Sequence, residues 1–288
     1  RLSRSANVSG SVLIKLHNVR KQHTKFHNCR TNIANERNRT MRYEEYTIEG
    51  RNAVIEAFRS GKTIDKLYVL DGCQDGPIKT IVREAKKGDT IINFVTKERL
   101  DEMSQTGHHQ GAIAKAAAYE YAEVSDILEA AREKGEPPFI LLLDGIEDPH
   151  NLGAIIRTAN LAGAHGVIIP KRRAVGLTAV VAKTSAGAIN YTPVAKVTNL
   201  ASTIDELKKE GMWFVCADMG GGLMYRQNLT GSIGLVIGNE GEGVSRLIKE
   251  KCDFITSIPM KGDIDSLNAS VAAGVLSYEI VRQRMMGK

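Results

Sequence analysis

"FILLLDGIEDPHNLGAIIRTA", Phe139 to Ala159, is the stretch from which the fold class can be read. Its first five residues are an unbroken apolar run closed by Asp144. A run that short, without polar alternation, fits a strand covered on both faces. A polar turn follows, and the apolar spacing from Leu152 predicts a helix over 152–163. Downstream the unit repeats: "GVIIP" (166–170), a helix near 178–187, "YTPVAKV", and a helix over 202–210 capped by Ser202 or Thr203. "MWFVCAD" (212–218), "SIGLVIG", a helix over 244–251, "FITSIP" and a long terminal helix over 267–284 complete the series. Such alternation predicts an α/β class with a mostly parallel sheet and helices on both sides.

Upstream of Phe139 the pattern is finer. "GRNAVIEAFRSGK" reads as a helix, 65–70 and 90–95 as strands, and 77–88 and 97–103 as helices. "QGAIAKAAAY" is open between helix and strand, and 125–135 reads as a helix with Ser125 as its N-cap. The expected division is therefore a small α/β domain over 41–120, a linker helix within 121–138 and a second domain over 139–288.

The 288 residues carry a net charge of +6, unevenly distributed. Residues 1–40 hold nine Lys/Arg against Glu36 alone, so the remainder is slightly acidic. Overall charge is thus no argument for nucleic-acid binding by the patterned part, where RNA contact must come from local patches. Residues 1–40 lack apolar periodicity and are expected to be a non-native or disordered basic tail, with Met41 as the native start. A basic RNA-binding arm and a transit peptide are the alternatives. The longest apolar run, "FILLL", is far short of the roughly 20 residues of a membrane helix. Four scattered cysteines without a CxxC pair suit reduced thiols in a cytoplasmic protein, and no metal site is assigned to them or to His23 and His27.

Ligands of parallel α/β sheets sit beyond the carboxyl ends of the strands. Three strand ends here are unusual. "FILLLD" leads to Asn151, Gly153 and Arg157; "GLVIG" leads to "NEGEG" (239–243); "FITSIP" leads to Ser266 and Asn268. Each has an ordinary reading alone: Asn151 or Ser266 as a helix cap, Arg157 as a solvated arginine, the acidic glycine run as a tight turn. The glycine order is GxxGxG rather than the dinucleotide pattern, which argues against an NAD-dependent oxidoreductase.

Taken together, "NLGAIIRTA", "GLVIGNEGEGVS" and "IPMKGDIDSLNASVAAGVLSYE" resemble, in order, the three signature motifs of the SpoU (TrmH) family of RNA ribose 2′-O-methyltransferases. The likeness extends upstream, where "EGRNAVIEAF" and "HHQGAIA" are similar to the small ribosomal protein L30e-like RNA-binding domain of the RlmB type. The resemblance implies a SPOUT-type parallel sheet with a deep trefoil knot over the second domain. It implies S-adenosylmethionine as cofactor, a homodimer, and a guanosine ribose of 23S-type ribosomal RNA as substrate. By motif position, Gly238, Ile258 and Leu267 would line the cofactor, and Asn151, Arg157, Glu240, Ser266 and Asn268 would form the catalytic cluster. A transfer RNA substrate, or a non-catalytic RNA-binding protein of the same fold, are the alternatives.

This chemistry needs positioning rather than a metal or a covalent intermediate. A guanidinium is a poor proton acceptor. Arg157 is therefore expected to hold phosphate and developing alkoxide, oriented by Glu240 and Asn151. The amides of 267–270 are expected to receive an anionic group. Weaker RNA-contact candidates are His108 and His109, the run Lys171–Arg173, and a basic face of Lys62, Lys66, Arg83, Lys86 and Lys87.

Overall fold

The computed structural model describes residues 47–264 and 266–287. The expectation for residues 1–40, and with it Met41, falls outside them. Two sheets organise the described chain. The first contains β1 (Thr47–Glu49), β2 (Ile64–Leu70), β3 (Ile91–Val95) and β4 (Ala112–Ala116), in the order β1-β4-β2-β3. It carries α1 (Arg51–Arg59), α2 (Gly76–Lys87) and α3 (Lys97–Met103). "AIAKA" is a strand because it lies between two partners and bonds antiparallel to both β1 and β2. Leu67 and Val69 of β2 are buried with Val54, Ile78 and Ile81 of the helices. The intervening Lys66 and Tyr68 therefore belong to the opposite face.

The second sheet contains β5 (Phe139–Asp144), β6 (Gly166–Pro170), β7 (Val194–Val197), β8 (Trp213–Leu223), β9 (Ile233–Gly238) and β10 (Phe254–Ser257). All its pairings are parallel, in the order β10-β8-β9-β5-β6-β7. Its helices are α4 (Val124–Lys134), α5 (Pro149–Leu161), α6 (Ala179–Thr184), α7 (Leu200–Lys209), α8 (Arg246–Lys251) and α9 (Ala269–Met286). Successive residues of β5 serve opposite cores. Phe139, Leu141 and Leu143 join α5 and α9, whereas Ile140 and Leu142 join α4 and α7. This is why "FILLL" is apolar throughout: no residue of β5 faces water.

Several boundaries differ from the sequence expectation. Pro149 at the first helical turn starts α5 three residues early, with Asp148 as cap accepting from His150 N at 2.9 Å. Asn151 is therefore an in-helix residue and not a cap. Helix α4 is capped by Glu123 rather than Ser125, and α7 by Asn199 rather than Ser202 or Thr203. In the segment expected as one helix over 178–187, α6 stops at Thr184 because Ala186 and Gly187 take left-handed φ values of 50° and 87°. β8 continues through three glycines, and a Cβ on Gly221 would sit 2.5 Å from the Ile255 backbone of β10. Helix α9 starts after Asn268, whose side chain caps it.

β5 and β9 are central neighbours, and Asp144 pairs with Gly238 in register. The two unusual strand ends thus lie side by side at the carboxyl edge of the sheet. A buried ion pair between Lys196 of β7 and Asp65 of β2 links this sheet to the first one.

Candidate active site

The site begins with the turn after β9. Asn239 Oδ1 accepts from Gly241 N at 3.0 Å and Glu242 N at 2.7 Å, which folds the glycine loop back on itself. A Cβ on Gly238 would lie 2.0 Å from the carbonyl carbon of Gly243, so only glycine permits this closure. The turn is tied to the neighbouring strand as well: buried Asp144 accepts from Ser245 N at 2.8 Å. Gly238 was expected to admit the cofactor to the backbone. Its lost side chain is required first by the turn itself.

That turn presents Glu240. Its Oε1 accepts from Asn151 Nδ2 at 2.5 Å, from Asn268 Nδ2 at 3.0 Å and from Ala269 N at 3.4 Å. Asn268 Nδ2 also donates to Asn151 Oδ1 at 2.9 Å. One carboxylate oxygen thus joins the end of β9, the first turn of α5 and the start of α9. Oε2 has no hydrogen bond to a described residue. Helix α5, which carries Asn151, packs closely on α6. A Cβ on Gly153 would fall 1.8 Å from Thr184 Oγ1.

Three of the five expected catalytic residues therefore meet. Ser266 is exposed and bonds to no described residue. Arg157 is exposed on α5 and makes no hydrogen bond or ion pair to a described residue, so within one chain Glu240 and Asn151 orient each other and Asn268, not Arg157. Six positions along a helix rotate Arg157 well away from Asn151, which explains the separation. The expected anion receiver at 267–270 is also taken from within. Asn268 Oδ1 accepts from Ser270 N at 2.9 Å and Val271 N at 3.4 Å, and Glu240 holds Ala269 N. Ile258, just past β10, packs on the core, and Leu267 is half-buried at the start of α9.

Asp144 and Asn239 were not singled out as functional from the sequence. An acid ending an apolar strand and an Asn–x–Gly turn were the available signals. Of the histidine pair, His108 is exposed, whereas His109 is buried and structural: Nδ1 accepts from Gly111 N at 3.0 Å and Nε2 donates to Asp101 at 2.9 Å. Arg83 and Lys87 pair with Glu84. Among the described residues no cluster of His, Cys, Asp and Glu is arranged to hold a metal, and no helix is long and apolar enough to cross a membrane.

Comparison with known proteins identifies the family. Residues 138–278 match the SpoU rRNA Methylase family, and residues 47–122 match the RNA 2′-O ribose methyltransferase substrate binding family. The chain is 52% identical over 242 residues to YacO of Bacillus subtilis, assigned as a TrmH family tRNA/rRNA methyltransferase, covering 83% of this chain and 96% of that one. A Staphylococcus haemolyticus protein with the same assignment is 47% identical, covering 84% and 97%. The crystal structure of the SpoU methyltransferase AviRb from Streptomyces viridochromogenes, in complex with AdoMet, aligns with a TM-score of 0.54 at 25% identity, over 87% of this chain and 95% of that one. An AdoMet-bound rRNA methyltransferase from Sinorhizobium meliloti shares the fold, with a TM-score of 0.51 at 23% identity over 82% and 86% of the two chains. The chain belongs to the SpoU/TrmH family of S-adenosylmethionine-dependent RNA 2′-O-methyltransferases.

Proposed function

We propose that the chain methylates the ribose 2′-hydroxyl of a guanosine in large-subunit ribosomal RNA of the 23S type, as a cytoplasmic homodimer. The observation that carries the reading is Glu240 joined to Asn151 and Asn268 through one oxygen, with the other left for a substrate hydroxyl. The residues present fit the cofactor. Gly238, Ile258 and Leu267 lie at the carboxyl ends of β9 and β10 and at the start of α9. Leu223 and Met260 expose apolar surface at the ends of β8 and β10, as a nucleoside-bearing ligand requires. When bound, S-adenosylmethionine supplies the electrophilic methyl group. Asn151 and Asn268 hold the Glu240 carboxylate rigidly, Oε2 accepts the hydrogen bond of the 2′-hydroxyl, and Ser266 stands at the mouth of α9 as a further donor.

Arg157 remains the phosphate and alkoxide residue in this reading, supplied by the second copy. Two features support that. Arg157 and Leu161 share the outer stripe of α5, and Leu161 is 65% exposed. On α9, Val271, Tyr278 and Met285 recur every seven residues and are 49%, 51% and 74% exposed. The two helices are packed together, Gly274 lying against Thr158. An apolar face of this kind, carrying an arginine that pairs with no described residue, suits a self-complementary contact.

The division into an L30e-like domain over 41–120, a linker over 121–138 and a knotted methyltransferase domain over 139–288 belongs to the same proposal. The knot is what the motif resemblance implies, and the loop before β9 is tied to the elements around it. Gln227 Nε2 donates to Ile255 O at 2.7 Å, and Gln283 of α9 bonds Leu229 N at 2.8 Å and Gln227 O at 3.0 Å. The match of 138–278 to the SpoU rRNA Methylase family favours ribosomal RNA, whereas the tRNA/rRNA assignment of the relatives keeps transfer RNA as the second reading. Incubation with labelled S-adenosylmethionine and both unmodified RNAs, followed by mapping of the label, decides between them. Label confined to transfer RNA, or placed on a base, overturns the proposal.

A further inference from the structure

A groove of about 900 Å³ lies between edge strand β3 of the first sheet and the loop after β6 of the second. Five cations line it: Lys66, Lys86, Lys171, Arg172 and Arg173. The single acid in the lining, Asp89, is already bound to Lys171, and that ammonium holds its carboxyl below the ordinary range. Lys66, Lys86, Arg172 and Arg173 form no ion pair with a described residue. Phe94 of β3, 57% exposed and in register with Val69, lines the groove at the edge of the sheet. Unpaired cations around an uncovered aromatic ring suit a single nucleic-acid strand, with phosphates on the cations and a base on the ring.

Arg173 extends this groove to the site. It lines the groove, a second hollow of about 330 Å³ between the sheets, and the cleft formed by Asp144, Asn239, Glu240 and Gly243. Among the described residues it is the only cation in that last cleft, where it faces the carboxylates of Asp144, Glu147, Asp148, Glu240 and Glu242. Its backbone is left-handed, with φ 53°, as is that of Asp89 across the groove, with φ 50°. Side chains other than glycine adopt this conformation rarely, and such residues concentrate at ligand clamps.

We propose that the groove is the track for an unpaired RNA strand, stacked on Phe94, and that Arg173 is a positioning residue guiding its backbone into the cleft beside Glu240. The inference rests on RNA being the substrate and adds the path by which it arrives.

The test titrates a labelled single-stranded oligoribonucleotide against full-length protein over a salt series, with a duplex of the same sequence as control. Arg173→Gly removes the side chain without straining the loop, since glycine accepts its φ. It is expected to weaken single-strand binding about tenfold and to reduce the salt slope by about 1. Arg173→Lys restores the slope. Phe94→Ala weakens single-strand binding about tenfold and leaves duplex binding unchanged. In turnover, Arg173→Gly raises KM for RNA more than it lowers kcat, while S-adenosylmethionine binding is unaffected. The groove falls if Arg173→Gly and Phe94→Ala bind the single strand with wild-type affinity and slope, or if duplex is preferred irrespective of Phe94. If the wild type binds through both residues yet transfers no methyl group to RNA, the functional reading falls and the groove stands. If RNA is methylated and Arg173→Gly behaves as wild type, the groove alone falls.

Discussion

Asn151 Nδ2 donates a 2.5 Å hydrogen bond to Glu240 Oε1 across 89 residues of sequence. Asn151 is 7% exposed, so the bond is shielded from water on the α5 side. Asn151→Ala removes a donor and leaves the carboxylate with Asn268 and Ala269 N alone. Methyl transfer should fall by about 100-fold, comparable to loss of one well-placed donor at a reacting centre. Asn151→Asp should be worse, because it sets a second carboxylate against Glu240. Single-turnover kinetics on both variants check the order; equal activity in Asn151→Asp and wild type contradicts it.

The glycine turn gives a purely steric prediction. Gly238→Ala places a methyl group 2.0 Å from the Gly243 backbone, so the turn must open. The loss should be at least about 2 kcal/mol, with weakened S-adenosylmethionine binding. Gly241→Ala meets nothing nearer than Asn239 Oδ1 at 3.7 Å and should be close to neutral. Thermal unfolding of the pair distinguishes them, and similar losses in both would refute the packing argument.

Acid stability has a contribution from Glu49. Burial alone would raise its carboxyl, but Ser104 Oγ at 2.6 Å, Thr106 Oγ1 at 2.6 Å and the amides of Gln105 at 2.5 Å and Thr106 at 3.3 Å overcome it and hold the group at about 2, below its ordinary 4.5. A depressed folded value means that the stabilisation is complete above about 4.5 and fades as pH falls toward about 2. Glu49→Gln should be less stable than wild type at neutral pH, and the gap should narrow across that window. A gap independent of pH would show that the carboxylate charge is not the cause.

The link between the sheets is a buried charge pair. Lys196 and Asp65 side chains are 14% and 10% exposed, and Tyr121 OH donates to Asp65 at 2.9 Å while accepting from Leu177 N at 3.0 Å. Asp65→Asn strands a buried ammonium and should lose about 3 kcal/mol, whereas Asp65→Asn combined with Lys196→Met should recover part of it. Urea unfolding measures both; a double variant worse than Asp65→Asn alone would contradict the account.

The homodimer reading makes Arg157 a residue acting across chains. Arg157→Lys keeps the charge, loses the fork and should slow transfer at least about tenfold. Tyr278→Arg should yield monomers by sedimentation and abolish transfer. Mixing Arg157→Ala with Glu240→Ala subunits should restore activity, since a mixed pair contains one complete site. No recovery after subunit exchange would place Arg157 in its own chain's site.

The sequence made the second sheet legible because its strands are uninterrupted apolar runs between helices of ordinary length. Boundaries were less legible where side-chain caps compete: Asp148 outranks Asn151 because Pro149 fixes the first turn, and Asn199 precedes the serine and threonine expected to cap α7. Asn151, Glu240 and Asn268 were recognisable by motif order. Their mutual bonds were not, since they depend on how β9 meets α5 and α9. Arg157 shares a motif with Asn151, but six positions along the helix it faces elsewhere in the same chain, which the motif alone does not reveal. Arg173 gave only the weak signal of a basic run, because its place between three hollows follows from the packing of two sheets.

The central claim is that Glu240 organises a ribose 2′-O-methyl transfer site without being needed to bind the cofactor. Glu240→Ala, assayed by mass mapping of unmodified large-subunit ribosomal RNA and by S-adenosylmethionine affinity on the same preparation, tests it most directly. The account predicts a single 2′-O-methylated guanosine with wild type, transfer reduced by at least about 100-fold in the variant, and cofactor affinity within about threefold. Undiminished 2′-O-methylation by Glu240→Ala would contradict it.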